Sequence, residues 1–461
     1  TSSFPDWGEV HWVPVDPAVS SYGIDREIRQ AFVDGRIPPR DLRYPRPAND
    51  DWPVFAHSWD LGLVTKPVVR RAILGHLRRE AVNAFGTTGF SYWTRSHDDG
   101  GALVRDAVSR ADEVRRKALA VDAEVLARAR AAGGDPLAAL ASLLFRQSFA
   151  ANELVLVSGR PFLFTKTFDE AGASPIQSVE TLYAAAPAFL AFNPELLALQ
   201  VAPLFEALRR GDWLEAFAPG NLGLYPNATG FLPPDENRVE TTALLVLLVA
   251  FARTSDPRAL EDYQPILKKL GSFLLASSDP ATWNDPQTAL KSETSAALAA
   301  LLALSTLPEY RMEAASRIRG WQAAAASGQT TVLQFVDRKS WTLQPHLFDD
   351  RFLRLDLLPE SFLNGESLLL RFRPGRYGPP LDSRRATLAV DVLFRLLAVL
   401  DRPEADPLLA EILRAMAETP SRIPPGDRMA PDTARITGGQ ARSSLGSVFA
   451  PILLHEGRHG R

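Results

Sequence analysis

The stretch Phe217–Leu248, FAPGNLGLYPNATGFLPPDENRVETTALLVLL, decides how this 461-residue chain is read. Its first half is rich in Gly, Pro and Asn, residues that favour turns. Its second half predicts a helix over 240–254 that is apolar on every side, with Glu240 in its first turn. A helix apolar all round belongs inside a large fold, not on its surface. A turn-rich loop opening at the head of such a helix is where a rigid scaffold commonly carries binding and catalytic groups.

Outward from this stretch the chain is mainly helical. Apolar residues at i, i+3 and i+4 predict helices over 103–132, 136–152, 195–210, 240–254, 258–276, 291–305, 309–325, 349–357, 384–402, 405–418 and 440–454. Pro and Gly clusters separate most of them, as at Gly133-Gly134-Asp135-Pro136 and Ser255-Asp256-Pro257. Helices 240–254, 291–305 and 440–454 are apolar or rich in small residues, whereas 103–132 and 258–276 carry charge on one face. That alternation predicts an inner ring of buried helices inside an outer amphipathic ring. A solenoid would need a fixed repeat period, and none is visible.

The region before Leu103 differs. Residues 1–65 show no helical period, and Val10–Val15 alternates and is broken by proline, which predicts edge strands and coil. Val68–Leu77 reads as a strand or a short helix, and Phe90–Trp93 as a strand. The expected organisation is a β-rich or extended portion over 1–98 and a helical domain over 99–461.

Composition narrows the function classes. Hydrophobic residues at 46% and charged residues at 23% are those of a globular protein. A net charge of −3, without a basic stripe, gives no case for nucleic acid. Apolar runs such as Ala243–Ala252 are too short to span a bilayer, so no transmembrane segment is expected. Zero cysteine excludes disulfides, thiolate catalysis and cysteine metal sites. Thr1-Ser2-Ser3-Phe4 lacks the basic and apolar regions of a signal peptide, and the Arg- and Ala-rich composition reads as bacterial. No phosphate loop or nucleotide fingerprint is visible, so no cofactor is expected.

Several segments, taken together, resemble one family. The loop is similar to the signature of the glutaminase A-like proteins, approximately HDLG, then YPNATG, then VEE-x-GNM; here the middle part is Tyr225-Pro226-Asn227-Ala228-Thr229-Gly230. Phe145–Ala151 resembles the family's RQ-x-x-AA helix, and Ala188–Leu197 its P-x-FLYLNPELL. Tyr377–Arg384 resembles YG-x-PLD-x-R, Glu418–Ser421 resembles ETP-S/T, and Gln440–Phe449 resembles ARxVVGGxF. The order holds from about Trp52 to Leu454. The resemblance implies a six-hairpin (α/α)6 toroid preceded by a β-sandwich, here shortened, a secreted or periplasmic location, and hydrolysis of glutamine to glutamate and ammonia.

Departures from the pattern fall on polar positions. Gly220-Asn221 stands where the family has His-Asp, Glu240-Thr241 where it has paired acids, and Ala243-Leu244 where it has Gly-Asn. Trp283–Thr288 aligns with an S/T-DDF run and keeps one acid, Asp285. Leu388–Val392 has an alanine where the family has lysine. Asp350 matches the acid of an N-L-x-x-D segment, whose asparagine is replaced by His346. Asn, Thr and Leu cannot do the proton chemistry of Asp and Glu.

The catalytic candidates are therefore Glu240, Asp285 and Asp382, weighed against a first-turn helix carboxylate, a turn residue and an ion pair with Arg384 or Arg385. Substrate-binding candidates are Tyr225, Asn227, Asn221 and Asp350, although Tyr-Pro-Asn is also strong turn chemistry. His346 near Asp349 and Asp350 fits an N-cap cluster better than a metal centre, and no metal site is expected. Trp283, Trp321 and Trp341 read as core anchors before ligand platforms. Two functional readings result. The one the lost polar motifs favour is a catalytically degenerate member, serving as an extracytoplasmic binding or scaffold subunit with a protein partner in a larger assembly. The alternative is a live hydrolase using Glu240 with Asp285 or Asp382, which requires an open pocket holding two carboxylates.

Overall fold

The computed structural model describes residues 8–36, 40–43, 46–47, 49–168, 174–232, 237–283, 293–328, 330–372, 375–384 and 386–459. The chain forms two compact units. One comprises the residues up to Glu80 with Ser91–Ala120, and the other Ala81–Phe90 with the residues from Val121 onward.

In the first unit, Glu9–Pro14 pairs antiparallel with Ala72–Leu77, and Val19–Ile24 pairs with Pro53–Ser58. The strand expected at Val10–Val15 is present, and the Val68–Leu77 segment resolves as strand over Ala72–Leu77. One helix in this unit, Asp25–Val33, contradicts the expectation of no helix before residue 65. Its apolar residues Ile28, Ala31 and Phe32 do stand at i, i+3 and i+4, but over nine residues, shorter than the window in which such a period is read with assurance. An Asp25–Arg29 ion pair of 2.7 Å lies along its exposed face.

The second unit contains a five-stranded sheet and the helical ring. Sheet order is Arg160–Thr165, Asn152–Val157, Thr87–Ser91, Glu80–Ala84, Asn227–Ala228. The first two form a hairpin whose turn residues Ser158 and Gly159 both have positive φ (50° and 79°), the geometry that suits the twist of paired strands. The sequence assigns no element to residues 153–165; the Ser-Gly turn between NELVLV and RPFLFT is the signal for it.

Beside the helix Gly100–Ser109 of the first unit, twelve helices among the described residues lie wholly or mostly in the second: α1 (Ala111–Ala150), α2 (Val179–Phe192), α3 (Pro194–Arg210), α4 (Arg238–Ser255), α5 (Gln264–Ser277), α6 (Thr294–Ser305), α7 (Arg311–Ala325), α8 (Leu347–Phe352), α9 (Glu360–Phe372), α10 (Val390–Val399), α11 (Arg402–Glu418) and α12 (Ala450–His459). The expected ring is visible in their burial. In α6 eleven of twelve residues are buried, so no face of it meets solvent. In α7 only Ala314, Ile318, Trp321 and Ala325 are buried; they fall on one stripe, as an outer helix requires. Helix α2 packs on α4, α4 on α6, and α10 on α12 and on the 3-10 segment Ser443–Phe449, which returns to α2. The unit is a mainly α toroid.

Differences from the expected helices have local causes. Helix α1 bends where the sequence places a break, at Gly133 and Gly134, both outside helical geometry. The predicted 384–402 helix begins only at Val390, because Leu388–Ala389 pairs with Gly426–Met429 in a three-stranded sheet completed by Ile436–Gln440. The predicted 440–454 helix is 3-10 over Ser443–Phe449. There Gly446 lies so close to α2 that a Cβ would sit 3.0 Å from the Ala185 carbonyl oxygen. Trp283, Trp321 and Trp341 are core residues, and the Trp321 indole donates to the Thr294 carbonyl at 2.8 Å. No helix among the described residues is long and apolar enough to cross a membrane.

Candidate functional site

The Gly/Pro/Asn-rich loop is held by its own polar side chains. The Asn221 side-chain oxygen accepts from the backbone N–H groups of Gly223 (2.9 Å) and Leu232 (3.1 Å). The Tyr225 hydroxyl donates to Glu153 at 3.0 Å, and the Lys166 ammonium lies 4.3 Å from the Tyr225 ring centre. Asn227 extends the five-stranded sheet, where its side chain accepts from Asn83 at 2.8 Å. Tyr225 and Asn227 thus tie the loop to the sheet, and Asn221 sets its curvature. None of the three lines the pocket described below.

At the end of the loop the chain enters α4. The Thr242 hydroxyl accepts from the Ala218 N–H (3.0 Å) and donates to the Arg238 carbonyl (2.7 Å), which joins loop to helix. Glu240, half-buried in the first turn, is thereby aimed into a pocket of about 510 Å³. Its wall is built from α2, α4, α10 and the segments around 333–346 and 381–384. Five carboxylates face it (Glu180, Glu240, Glu293, Asp382, Asp391) together with three guanidinium groups (Arg384, Arg395, Arg428). Leu244 forms part of the wall and leaves the space open.

Ion pairing organises these charges. Arg384 bridges Asp382 (3.2 Å) and Glu293 (2.8 Å), and its backbone N–H donates to Asp382 at 2.7 Å. Arg428 bonds Asp391 at 2.5 Å and lies 3.6 Å from Glu180. The negative charge of Asp391 holds the Arg428 proton more tightly than in a free arginine, against the opposing effect of burial. Behind them, burial raises the Asp427 carboxyl to about 7, with the Asp391 charge adding to the effect. Ser444 donates to its second oxygen at 2.5 Å.

The deep wall is a second charged cluster. Arg395 is buried on α10, where its guanidinium stacks 3.9 Å from the Tyr183 ring centre, bonds Asp349 at 3.2 Å and donates to the Tyr183 carbonyl. The Tyr183 hydroxyl donates to Asp349 at 2.5 Å, and burial pushes that phenol well above its ordinary range. His346 Nδ1 lies 2.6 Å from the same Asp349 carboxylate.

Among the candidates read from sequence, Glu240 and Asp382 share this pocket. Asp285 lies outside the described residues. Asp350 is buried away from it and accepts from the backbone N–H groups of Leu357 (2.9 Å) and Leu358 (3.4 Å); burial raises its pKa, and those two bonds oppose the rise. Tyr183 and Arg395 are absent from the sequence candidates. A lone arginine within the apolar run VLFRLLAVL, residues 392–400, is the signal that finds one of them, because an unpaired buried charge is too costly to persist. Among the described residues no group of three or more His, Asp or Glu is placed to hold a metal ion.

Fold and site together define a helical-hairpin toroid with a polar, mixed-charge pocket walled by its inner helices. Residues 134–452 match the glutaminase A six helical-hairpin domain, more than half of the chain, and the chain belongs to that family. Residues 2–128 match a domain of unknown function. Glutaminase A of Aspergillus oryzae is 26% identical over 488 aligned positions, spanning 97% of this chain and 70% of the relative. A probable glutaminase of Arthroderma benhamiae is 24% identical, spanning 49% of this chain and 28% of the relative. Both relatives are fungal. Among solved structures, a glycosidase is similar at a TM-score of 0.42 and 12% identity, over 70% of this chain and 98% of that one. An uncharacterized conserved protein from Thermus thermophilus is similar at 0.40 and 14%, over 59% and 91%.

Proposed function

We propose that the pocket hydrolyses the side-chain amide of a small, glutamine-like substrate and releases ammonia. The observation that carries this reading is that Glu240 and Asp382 line one open pocket of about 510 Å³, with Leu244 in its wall and not in its space. Two carboxylates of different character suit the chemistry. Asp382 is fixed by Arg384 and serves as an orienting anion. Glu240 takes the proton from the attacking water. Carboxylates and guanidinium groups side by side also suit a zwitterionic amino acid, whose carboxylate and ammonium need opposite partners. The curated relatives named as glutaminases favour this substrate class. The loss of the family's His-Asp at Gly220-Asn221 removes a polar pair from the loop and leaves this pocket's carboxylates in place.

The test is ammonia release from glutamine and from other primary amides, with simple glycosides as the competing class. Glu240→Gln should lower kcat by about 100-fold or more while the fold is retained. Equal activity in wild type and Glu240→Gln would sink the assignment.

A second reading, an extracytoplasmic scaffold subunit that binds a protein partner, is favoured by one feature of the first unit. Phe32, Val33 and Phe55 are 73%, 77% and 60% exposed around a groove of about 490 Å³. It takes precedence if no amide or glycoside is turned over while Phe32→Asp and Phe55→Asp change the assembly state in solution.

A further inference from the structure

The proposed hydrolysis needs two proton movements, one from water and one to the departing nitrogen, and the carboxylates provide for the first. The deep wall supplies the second. We infer that His346 is the proton donor to the leaving nitrogen, held in that role by Asp349; this inference rests on the hydrolase reading above.

Three observations carry it. His346 lines the pocket, yet it is only 1% exposed. Its Nδ1 lies 2.6 Å from the Asp349 carboxylate, and a carboxylate only accepts, so Nδ1 carries a hydrogen. The hydrogen bonds of the His346 ring run through Nδ1, to Asp349 at 2.6 Å and to the Tyr183 hydroxyl at 3.1 Å, and Nε2 takes part in neither. An imidazole anchored through one nitrogen on a buried acid, at a cavity wall, is built to present the proton of the other. Asp349 is itself fixed by Arg395 (3.2 Å) and by the Tyr183 hydroxyl (2.5 Å), so the ring cannot swing with its acid.

The position is also where this chain departs from the pattern it resembles, which has asparagine in place of His346. The same chain lacks a histidine at Gly220, where the pattern has one. A titratable ring is therefore absent from the loop and present in the lining of the pocket.

The step balances without a further reactant. Water adds to the amide carbon as Glu240 takes its proton, and the carbonyl electron pair moves to oxygen. The carbonyl reforms as the C–N bond breaks, and the imidazolium Nε2–H passes to nitrogen, which leaves as ammonia. The proton on Glu240 then returns to His346 through solvent.

Groups facing His346 set the pH response. They are Asp349 on its own helix, Tyr183 on α2, Arg395 on α10 and, across the pocket, Glu240 on α4. The donor must be protonated, so kcat falls on the alkaline side as Nε2–H is lost.

The experiment compares kcat, KM and the pH profile of ammonia release for wild type, Glu240→Gln, His346→Asn and His346→Gln. The expected result for both His346 variants is a kcat lowered about 100-fold or more, KM within about threefold, and loss of the alkaline limb. A purely structural histidine would leave the limb in place. Wild-type activity that survives in His346→Asn with an unchanged profile overturns this inference and leaves the hydrolase reading intact. A wild type that releases no ammonia overturns both. Should the variants not fold, ring-nitrogen NMR of histidine-labelled wild type decides instead. The neutral ring of His346 is expected with hydrogen on Nδ1, and a neutral ring with hydrogen on Nε2 overturns the inference.

Discussion

Glu366 gives a quantitative test of the core. It lies on α9, is fully buried, and accepts the backbone N–H of Gln344 at 3.1 Å. Burial raises its carboxyl from the ordinary 4.5 to about 8, with the Gln344 bond opposing the rise. The sign follows from proton binding. Between pH 4.5 and 8 the folded chain keeps a proton that the unfolded chain has released, so this group makes stability fall as pH rises through that window. Below it and above it the contribution is flat. At about 1.4 kcal/mol per pH unit, the whole window corresponds to a ceiling of about 5 kcal/mol. Glu366→Gln keeps an oxygen for the Gln344 N–H and cannot titrate. The stability of the variant relative to wild type should therefore grow from pH 5 to pH 8 by up to about 4 kcal/mol, read from urea midpoints at each unit of pH. Asp427 titrates in the same range and is present in both proteins, so it cancels in the difference. Parallel pH dependence in the two proteins would refute the reasoning.

Three further outcomes follow from the packing. Arg395→Met leaves Asp349 buried without its guanidinium and should cost about 3–5 kcal/mol in urea unfolding; a loss under about 1 kcal/mol would contradict the paired-charge account. Asn221→Ala removes the acceptor for two loop N–H groups and should cost about 1–2 kcal/mol. Hydrogen exchange at Gly223 and Leu232 should accelerate, and unchanged protection would count against it. Gly446→Val places its Cβ 3.0 Å from the Ala185 carbonyl and the Ala188 methyl, and should destabilise by about 1–3 kcal/mol in thermal melts; an unaltered melting temperature would show that α2 can move aside.

The helical ring was legible because inner and outer helices bury different fractions of their surface, and sequence records that difference directly. Helix α2 escaped because a run such as LYAAAPAFLAF is apolar throughout and has no period to detect. The shifted start of α10 escaped for another reason: the pairing of Leu388–Ala389 is made with strands some forty residues on, beyond any local signal. Glu240 and Asp382, singled out in the sequence because motif positions survive around them, both line the pocket. Asn221, Tyr225 and Asn227 lie in equally good motif segments but outside the pocket, since turn-making and ligand-binding draw on the same residue types. Tyr183, His346 and Arg395 meet only in three dimensions, from three separate helical segments.

The five-stranded sheet has a consequence for how this chain is divided in the laboratory. Its strands at Glu80–Ala84 and Thr87–Ser91 come from a stretch that runs ahead of every toroid helix, and Asn83 there is the partner of Asn227. A fragment starting at residue 99 would lack both strands. It would leave the Asn152–Val157 strand with a bare edge open to intermolecular pairing, and untie the loop that delivers Glu240. Scissors placed just before Glu80 spare that edge, whereas those placed where the composition changes, near Asp98, cut through the support of the pocket.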